Sequence, residues 1–333
     1  MNPVRTPADR ARLAPLVQAA FGGQRQLMGV TRLREATKKG VYRATFEDES
    51  TAIVYIWDAS EDYWPSSGTE PPDYADPFSP ASGLDMFEAA RAHLDRLGIR
   101  TPRLYLADRS HEYYPADVAV VEDIPGPTLE DLLNDDSRQA RSAITQFAEV
   151  LHVMHADKAA AFGKVLHLAR GGTTHDDSCA QVVLDRALRD LAEASARDQR
   201  ITQHQSQLEE TLRRQAAAVA PRPDYSLVHG ELDPGHVLID HQGRPVIIDI
   251  EGLMYFDGEW EHVFLQLRFG QHYPRLQPPD LDADRLSLYR LAMHLSLVAG
   301  PLRLLDGDYP IRDIFLGIAE WNLHQVLSLR QPS

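Results

Sequence analysis

The chain has 333 residues, 43% of them hydrophobic, enough for a large core and a length that suits two lobes of one enzyme. Lys plus Arg number 34 against 49 Asp plus Glu, giving a net charge of −15 and a pI near 5.3. A field of that sign excludes nucleic acid and anionic membrane surfaces as natural partners and favours a cationic small molecule, although solubility alone also accounts for acidity.

A single cysteine, Cys179, leaves no internal disulfide and no thiolate metal cage, as expected of a reducing compartment. The opening residues mix charges into their apolar positions and lack a signal-peptide core, and no stretch reaches the roughly 18 apolar residues of a membrane span, so the expectation is a cytoplasmic protein. Lysine occurs only at Lys38, Lys39, Lys158 and Lys164.

In chain order, residues 9–21 read as a short helix ended by Gly22 and Gly23. Three segments of alternating and β-branched residues follow, VTRLREA, VYRATFED and TAIVYIWD, which predict antiparallel strands with tight connections. Residues 59–83 hold five prolines and no period of either kind, and predict a loop or lid. Ser82 is placed to cap the next helix, in which Met86, Phe87, Ala90, Leu94 and Leu97 form one stripe and Gly98 is the stop. PRLYLAD and DVAVVEDI predict two more strands, and IPGPTL breaks the pattern. From about residue 128 the period is helical, with Ile144, Phe147, Leu151 and Met154 on one face. Helices are expected at about 180–197 and 202–219. A compact β segment over 226–252 turns at HQGR, and helices resume at about 257–269, 283–305 and 312–330. His175, Asp176 and Asp177 read as a helix N-terminal cluster.

One constellation carries chemistry: His229-Gly230-Glu231-Leu232-Asp233-Pro234-Gly235-His236-Val237-Leu238, then, after the turn, Ile248-Asp249-Ile250-Glu251. Asp249 follows a buried apolar run, where a carboxylate is costly unless a metal or a hydrogen-bond network receives it. The order and spacing resemble the catalytic loop HGDLxxxNVL and the metal loop IDxE of the aminoglycoside phosphotransferase and choline kinase-like family. The resemblance extends from about residue 29 to 325. It implies an α+β, bilobal, protein kinase-like fold, with a five-stranded antiparallel sheet in the first lobe and a mainly helical second lobe. Residues 1–124 would be the nucleotide-binding lobe and residues 125–333 the lobe with the catalytic and metal loops.

The same resemblance implies the site. The turn at Lys38, Lys39 and Gly40 is placed like a phosphate loop, whose backbone amides cradle phosphate. Glu88 falls at the small-lobe helix glutamate, and the backbone around Glu122, Asp123 and Ile124 at the hinge that meets adenine. Glu231 stands as base or substrate orienter, with Asp233 the alternative base if the loop is re-registered. Asp249 is the main metal ligand, with His236 and Glu251 as secondary ligands, and Glu261 falls where relatives brace the catalytic loop. The implied cofactors are ATP or GTP with Mg²⁺ or Mn²⁺, and the implied acceptor is a hydroxyl of a small polar antibiotic or metabolite.

Three positions depart from the family pattern. Glu231 replaces an aspartate, a longer arm that displaces the base or its substrate. His236 replaces a metal-binding asparagine and is either a nitrogen ligand or a satisfied loop histidine. Tyr55 stands where the third strand carries the phosphate-steadying lysine, leaving Lys38, Lys39 or Arg43 to supply that charge. Tyr63, Trp64 and Tyr74 in the proline-rich loop either stack on a substrate or anchor the loop to its own lobe. Two expectations follow: a small-molecule phosphotransferase, or a pseudokinase that keeps the fold as a nucleotide-binding or regulatory module. Neither the acceptor nor the oligomeric state is legible.

Overall fold

The computed structural model describes residues 5, 7–33, 36–64, 73–135 and 137–329. Parts of two expectations, the end of the first strand at 34–35 and the proline-rich stretch at 65–72, lie outside the described residues. The chain forms two compact units. One comprises Met1–Trp64, Pro80–Val150 and Pro234–Gly252; the other Pro65–Ser79, Leu151–Asp233 and Leu253–Ser333.

The first unit opens with helix α1 (Arg10–Phe21), whose N-cap Asp9 accepts from the Arg12 amide at 2.9 Å. Strands β1 (Leu27–Arg32), β2 (Gly40–Phe46) and β3 (Thr51–Trp57) follow. Helix α2 (Leu84–Arg96) then leads to β4 (Leu104–Asp108) and β5 (Asp117–Glu122). All neighbours are antiparallel, in the order β1-β2-β3-β5-β4, which is the five-stranded sheet the sequence predicts. Alternation does its work along β2, where Tyr42, Ala44 and Phe46 point into a core shared with Leu13, Leu16 and Val17 of α1 and Val54 and Ile56 of β3. On the other face of β3, Tyr55 packs edge-on against Phe87 of α2 with ring centroids 5.6 Å apart.

Ser82 does not cap α2. The N-cap is Gly83, at φ 136°, and the Ser82 hydroxyl instead donates to the Lys38 carbonyl at 3.3 Å. The helix stops as expected, with Gly98 at φ 71° just past its end.

Residues 125–150 and 234–252 belong to this first unit, beyond the lobe boundary expected at residue 124. The physical cause is a backbone dock. The Ile239 amide donates to the Pro127 carbonyl at 2.9 Å, and Thr128 bridges Leu238. The approach is so close that a Cβ on Gly126 would lie 1.9 Å from the Ile239 carbonyl oxygen, so only glycine fits. The expected hairpin is present, Val237–Ile239 pairing antiparallel with Pro245–Ile247. Its turn is tied by Asp240, which accepts from the Gln242 and Arg244 amides, both at 2.9 Å.

The second unit is mainly helical. Its core joins Val183, Leu191, Leu212, Trp260, Leu288, Leu295 and Val326 from four long helices, Cys179–Arg197, Gln205–Ala218, Ala283–Leu304 and Arg312–Leu329, and from Gly258–Phe269. The expected 202–219 helix is two pieces, Gln199–Thr202 and Gln205–Ala218, because Asp198 starts a separate turn by accepting from the Arg200 amide at 2.8 Å. Ser178, rather than the preceding acidic pair, caps the helix at Cys179. A small sheet of very short strands, among them Tyr225–Val228 and Met254–Phe256, leads into the loop that begins at His229.

Candidate functional site

In the first unit the expected residues converge on a buried ion cluster. Lys39, at the mouth of β2, donates from Nζ to Asp249 Oδ1 at 2.8 Å and to Glu251 Oε1 in a shorter contact. The Lys39 and Glu251 side chains are 9% and 4% exposed, whereas that of Asp249 is 42% exposed. Burial opposes charge on all of these groups, so the cluster stands only because ammonium meets carboxylate. For Asp249, burial raises the pKa, but Lys39 and, next, His236 outweigh it and hold the carboxyl well below its usual range. Asp249 also sits at φ 59°, the left-handed region that costs a residue with a Cβ about 1 kcal/mol or more.

His236 lies beside it, Nε2 to Asp249 Oδ2 at 3.9 Å. Mg²⁺ takes one or two protein carboxylates and completes its shell with phosphates and water. Asp249 fits that demand, being 42% exposed, with Lys39 on Oδ1 and His236 3.9 Å from Oδ2. Glu251 fits it poorly, because its carboxylate is buried against Lys39.

The other first-unit expectations are engaged in different ways. Lys38 is half-buried with Nζ 5.8 Å from the Trp64 ring, and Trp64 Nε1 donates to Thr37 Oγ1 at 3.0 Å. Arg5 stacks 3.8 Å from the centre of the Tyr63 ring. Tyr63 and Trp64 therefore anchor their segment to its own unit. Gly40 is a packing glycine: a Cβ there would lie 2.7 Å from Glu61 Cδ and 2.8 Å from the Tyr42 ring. Glu61 is held in place by Tyr42 and by Arg32 Nη2 at 2.9 Å. Glu88 is ion-paired with Arg109 at the surface. Glu122 accepts from Arg100 Nη2 at 3.0 Å and from the Arg103 amide at 3.1 Å, while Ile124 is buried.

In the second unit, Glu231 is exposed on a loop whose preceding backbone is fixed from below. Glu261, fully buried, accepts from the His229 amide at 3.0 Å, the Gly230 amide at 3.0 Å and His155 Nε2 at 3.2 Å. Gly230 adopts φ 93°, which lets the loop present consecutive amides to one carboxylate. Asp233 is ion-paired with Arg268 and 14% exposed. Sequence reasoning did not find Arg268, Arg109 or Arg100, since nothing local marks a partner so far along the chain.

The phosphotransferase enzyme family matches residues 31–291. No curated protein sequence matches. Solved structures share the fold. A thermostable mutant of aminoglycoside phosphotransferase APH(4)-Ia, in a ternary complex with ADP and hygromycin B, aligns with a TM-score of 0.61 at 15% identity, over 95% of this chain and 96% of that one. The GDP complex of wild-type aminoglycoside 2'-phosphotransferase-IIIa aligns at 0.60 and 17%, over 95% and 99%. LicA in complex with AMP aligns at 0.59 and 12%, over 94% and 96%.

Proposed function

Because the chain belongs to the phosphotransferase enzyme family, we propose that it moves the γ-phosphoryl group of ATP or GTP to a hydroxyl of a small polar molecule, an antibiotic or a metabolite. In this reading the first unit, which holds both the five-stranded sheet and the loop of Asp249, binds the nucleotide and its metal, and the mainly helical unit carries the acceptor.

The observation that carries the reading is Asp249, a partly exposed carboxylate in a costly backbone conformation with one oxygen held by a buried lysine. A divalent ion bound there with the nucleotide would neutralise charge on the phosphates; Asp249 would hold it, with His236 at its side. Phosphoryl transfer needs little covalent chemistry from the protein, and positioning with electrostatic stabilisation supplies most of the catalysis. Glu231 has the matching task at the acceptor: its carboxylate orients the hydroxyl and accepts its proton as the new oxygen–phosphorus bond forms and the bond from the γ-phosphorus to the bridging oxygen breaks, releasing ADP or GDP. Glu261 keeps the backbone beneath Glu231 in one geometry. Structural relatives bound to ADP, AMP and GDP support a nucleotide site, and the hygromycin B complex supports a polar, hydroxyl-rich acceptor. The net charge of −15 suits a cationic one.

Thermal shift with ATP or GTP, each with Mg²⁺, Mn²⁺ or EDTA, followed by slow ATP hydrolysis for wild type and Asp249→Ala, tests the proposal. Nucleotide should raise the melting temperature, and Asp249→Ala should abolish metal-dependent hydrolysis. A wild-type chain that binds nucleotide without any turnover, unaffected by Asp249→Ala, is the pseudokinase outcome. Absence of any nucleotide response would sink both.

A further inference from the structure

Kinase-type sites use a lysine on the third strand to hold phosphates and a glutamate on the small-lobe helix to hold that lysine. Neither position does so here. Residue 55 is a buried tyrosine whose ring packs against Phe87 at 5.6 Å and Trp57 at 5.9 Å, so that strand position serves to seat α2 on the sheet. Glu88, next to Phe87 on α2, is ion-paired with Arg109.

Lys39 arrives at the same place from the neighbouring strand. Val41 is the direct cross-strand partner of Tyr55, and Lys39 precedes it by two residues, the spacing that returns a side chain to the same face. Its Nζ lies 4.9 Å from the centroid of the Tyr55 ring. Among the other candidate cations of this unit, Arg43 Nη2 and Nε are bound to Asp123, and Lys38 lies over Trp64. Lys39 donates from one Nζ to both Asp249 and Glu251, and the Glu251 side chain is buried at 4% exposure.

Taking the phosphotransferase reading as its premise, we infer that Lys39 is the cation that orients the nucleotide phosphates and that Glu251 is its positioning residue. The lysine–glutamate pair has moved from β3 and α2 to the mouth of β2 and the turn after Asp249. A buried ammonium without a carboxylate is strongly disfavoured, so Glu251 fixes Lys39 whether or not nucleotide is present. Asp249 is thereby left able to exchange its Lys39 contact for the incoming phosphates and their metal. Glu251 acts through Lys39 and is not a metal ligand.

The test uses the full chain and a fluorescent N-methylanthraniloyl-ATP, with affinity measured in Mg²⁺ and again in EDTA, and thermal melts without nucleotide to establish folding. Lys39→Met should weaken binding by about tenfold or more in both media, as loss of a charge-assisted contact does. Adding Tyr55→Lys to that variant should restore a measurable part of the affinity, because the new ammonium enters the space beside the vacated one. Glu251→Gln should weaken binding in EDTA as well as in Mg²⁺. If wild type binds the probe and folded Lys39→Met binds it within about twofold, the inference is overturned while the phosphotransferase reading stands. A Glu251→Gln defect confined to Mg²⁺ would overturn the positioning role and make Glu251 a metal ligand. Where Tyr55→Lys fails to fold by its melt, the decision rests on the two single variants. Failure of wild type to bind the probe at all removes the premise itself.

Discussion

The Gly230 amide donates to Glu261 Oε1 at 3.0 Å while the adjacent His229 amide donates to Oε2 at 3.0 Å, so one buried carboxylate holds two consecutive peptide groups of the loop that presents Glu231. Glu261 thereby converts the start of a long, irregular segment into a fixed platform. Glu261→Ala strips both amides and His155 of their partner inside the protein. Each orphaned donor costs about 1–3 kcal/mol, so a total loss of roughly 3 kcal/mol or more is expected in urea unfolding. A loss below about 1 kcal/mol would show that water or another group satisfies the loop.

The two carboxylates of the loop should behave differently. Asp233 is committed to Arg268, whereas Glu231 is exposed. Steady-state phosphotransfer or slow ATP hydrolysis should therefore fall by about a hundredfold or more for Glu231→Gln, the usual scale for losing a positioned base. For Asp233→Asn the fall should stay within about tenfold. The reverse ranking would make Asp233 the base and assign Arg268 to its control.

His262 gives the second unit an acid limit. It is buried, its Nε2 has no hydrogen-bond partner, and its Nδ1 lies 3.4 Å from the Tyr273 hydroxyl. Burial, and then the neighbouring His155, push its pKa down to about 4. Below about pH 6.5 the unfolded chain takes up a proton that the folded chain refuses. The stability this histidine confers is therefore complete above about pH 6.5 and lost progressively as pH falls towards about 4, a total of roughly 3 kcal/mol. Urea unfolding across that window should show the loss in wild type and a flatter profile in His262→Phe. Equal slopes in the two proteins would remove His262 from the account.

Much of this molecule is written locally. The alternation of Tyr42, Ala44 and Phe46 marks β2, the periodic apolar residues mark α2, and Gly98 marks its end, because each signal lies within a few residues of the structure it specifies. The family spacing from His229 to Glu251 brings the site into view as a set, including the bracing by Glu261. The pairings are what the text withholds. Lys39 and Glu251 stand 212 residues apart, and no period or cap announces that they meet. Gly40 reads as a phosphate-loop glycine, and nothing in its neighbourhood along the chain announces that a Cβ there would lie 2.7 Å from Glu61 Cδ. The strands at Tyr225–Val228 and Met254–Phe256 are too short to show a period at all. Ser82 offers a hydroxyl at a plausible cap position and uses it on a carbonyl of another loop.

The contact that only Gly126 permits has a consequence for how the polypeptide is made. The first unit closes only when Val237–Ile239 comes to lie on Pro127 and Thr128, so its final piece is translated after more than eighty residues of the other unit have already been synthesised. During elongation the nascent sheet and helix α2 wait without that hairpin, and with them Lys39 waits without either of its acidic partners. Assembly of the ion cluster is thus a late event in biosynthesis, which makes that interval the time when a chaperone would find the amino-terminal half incomplete.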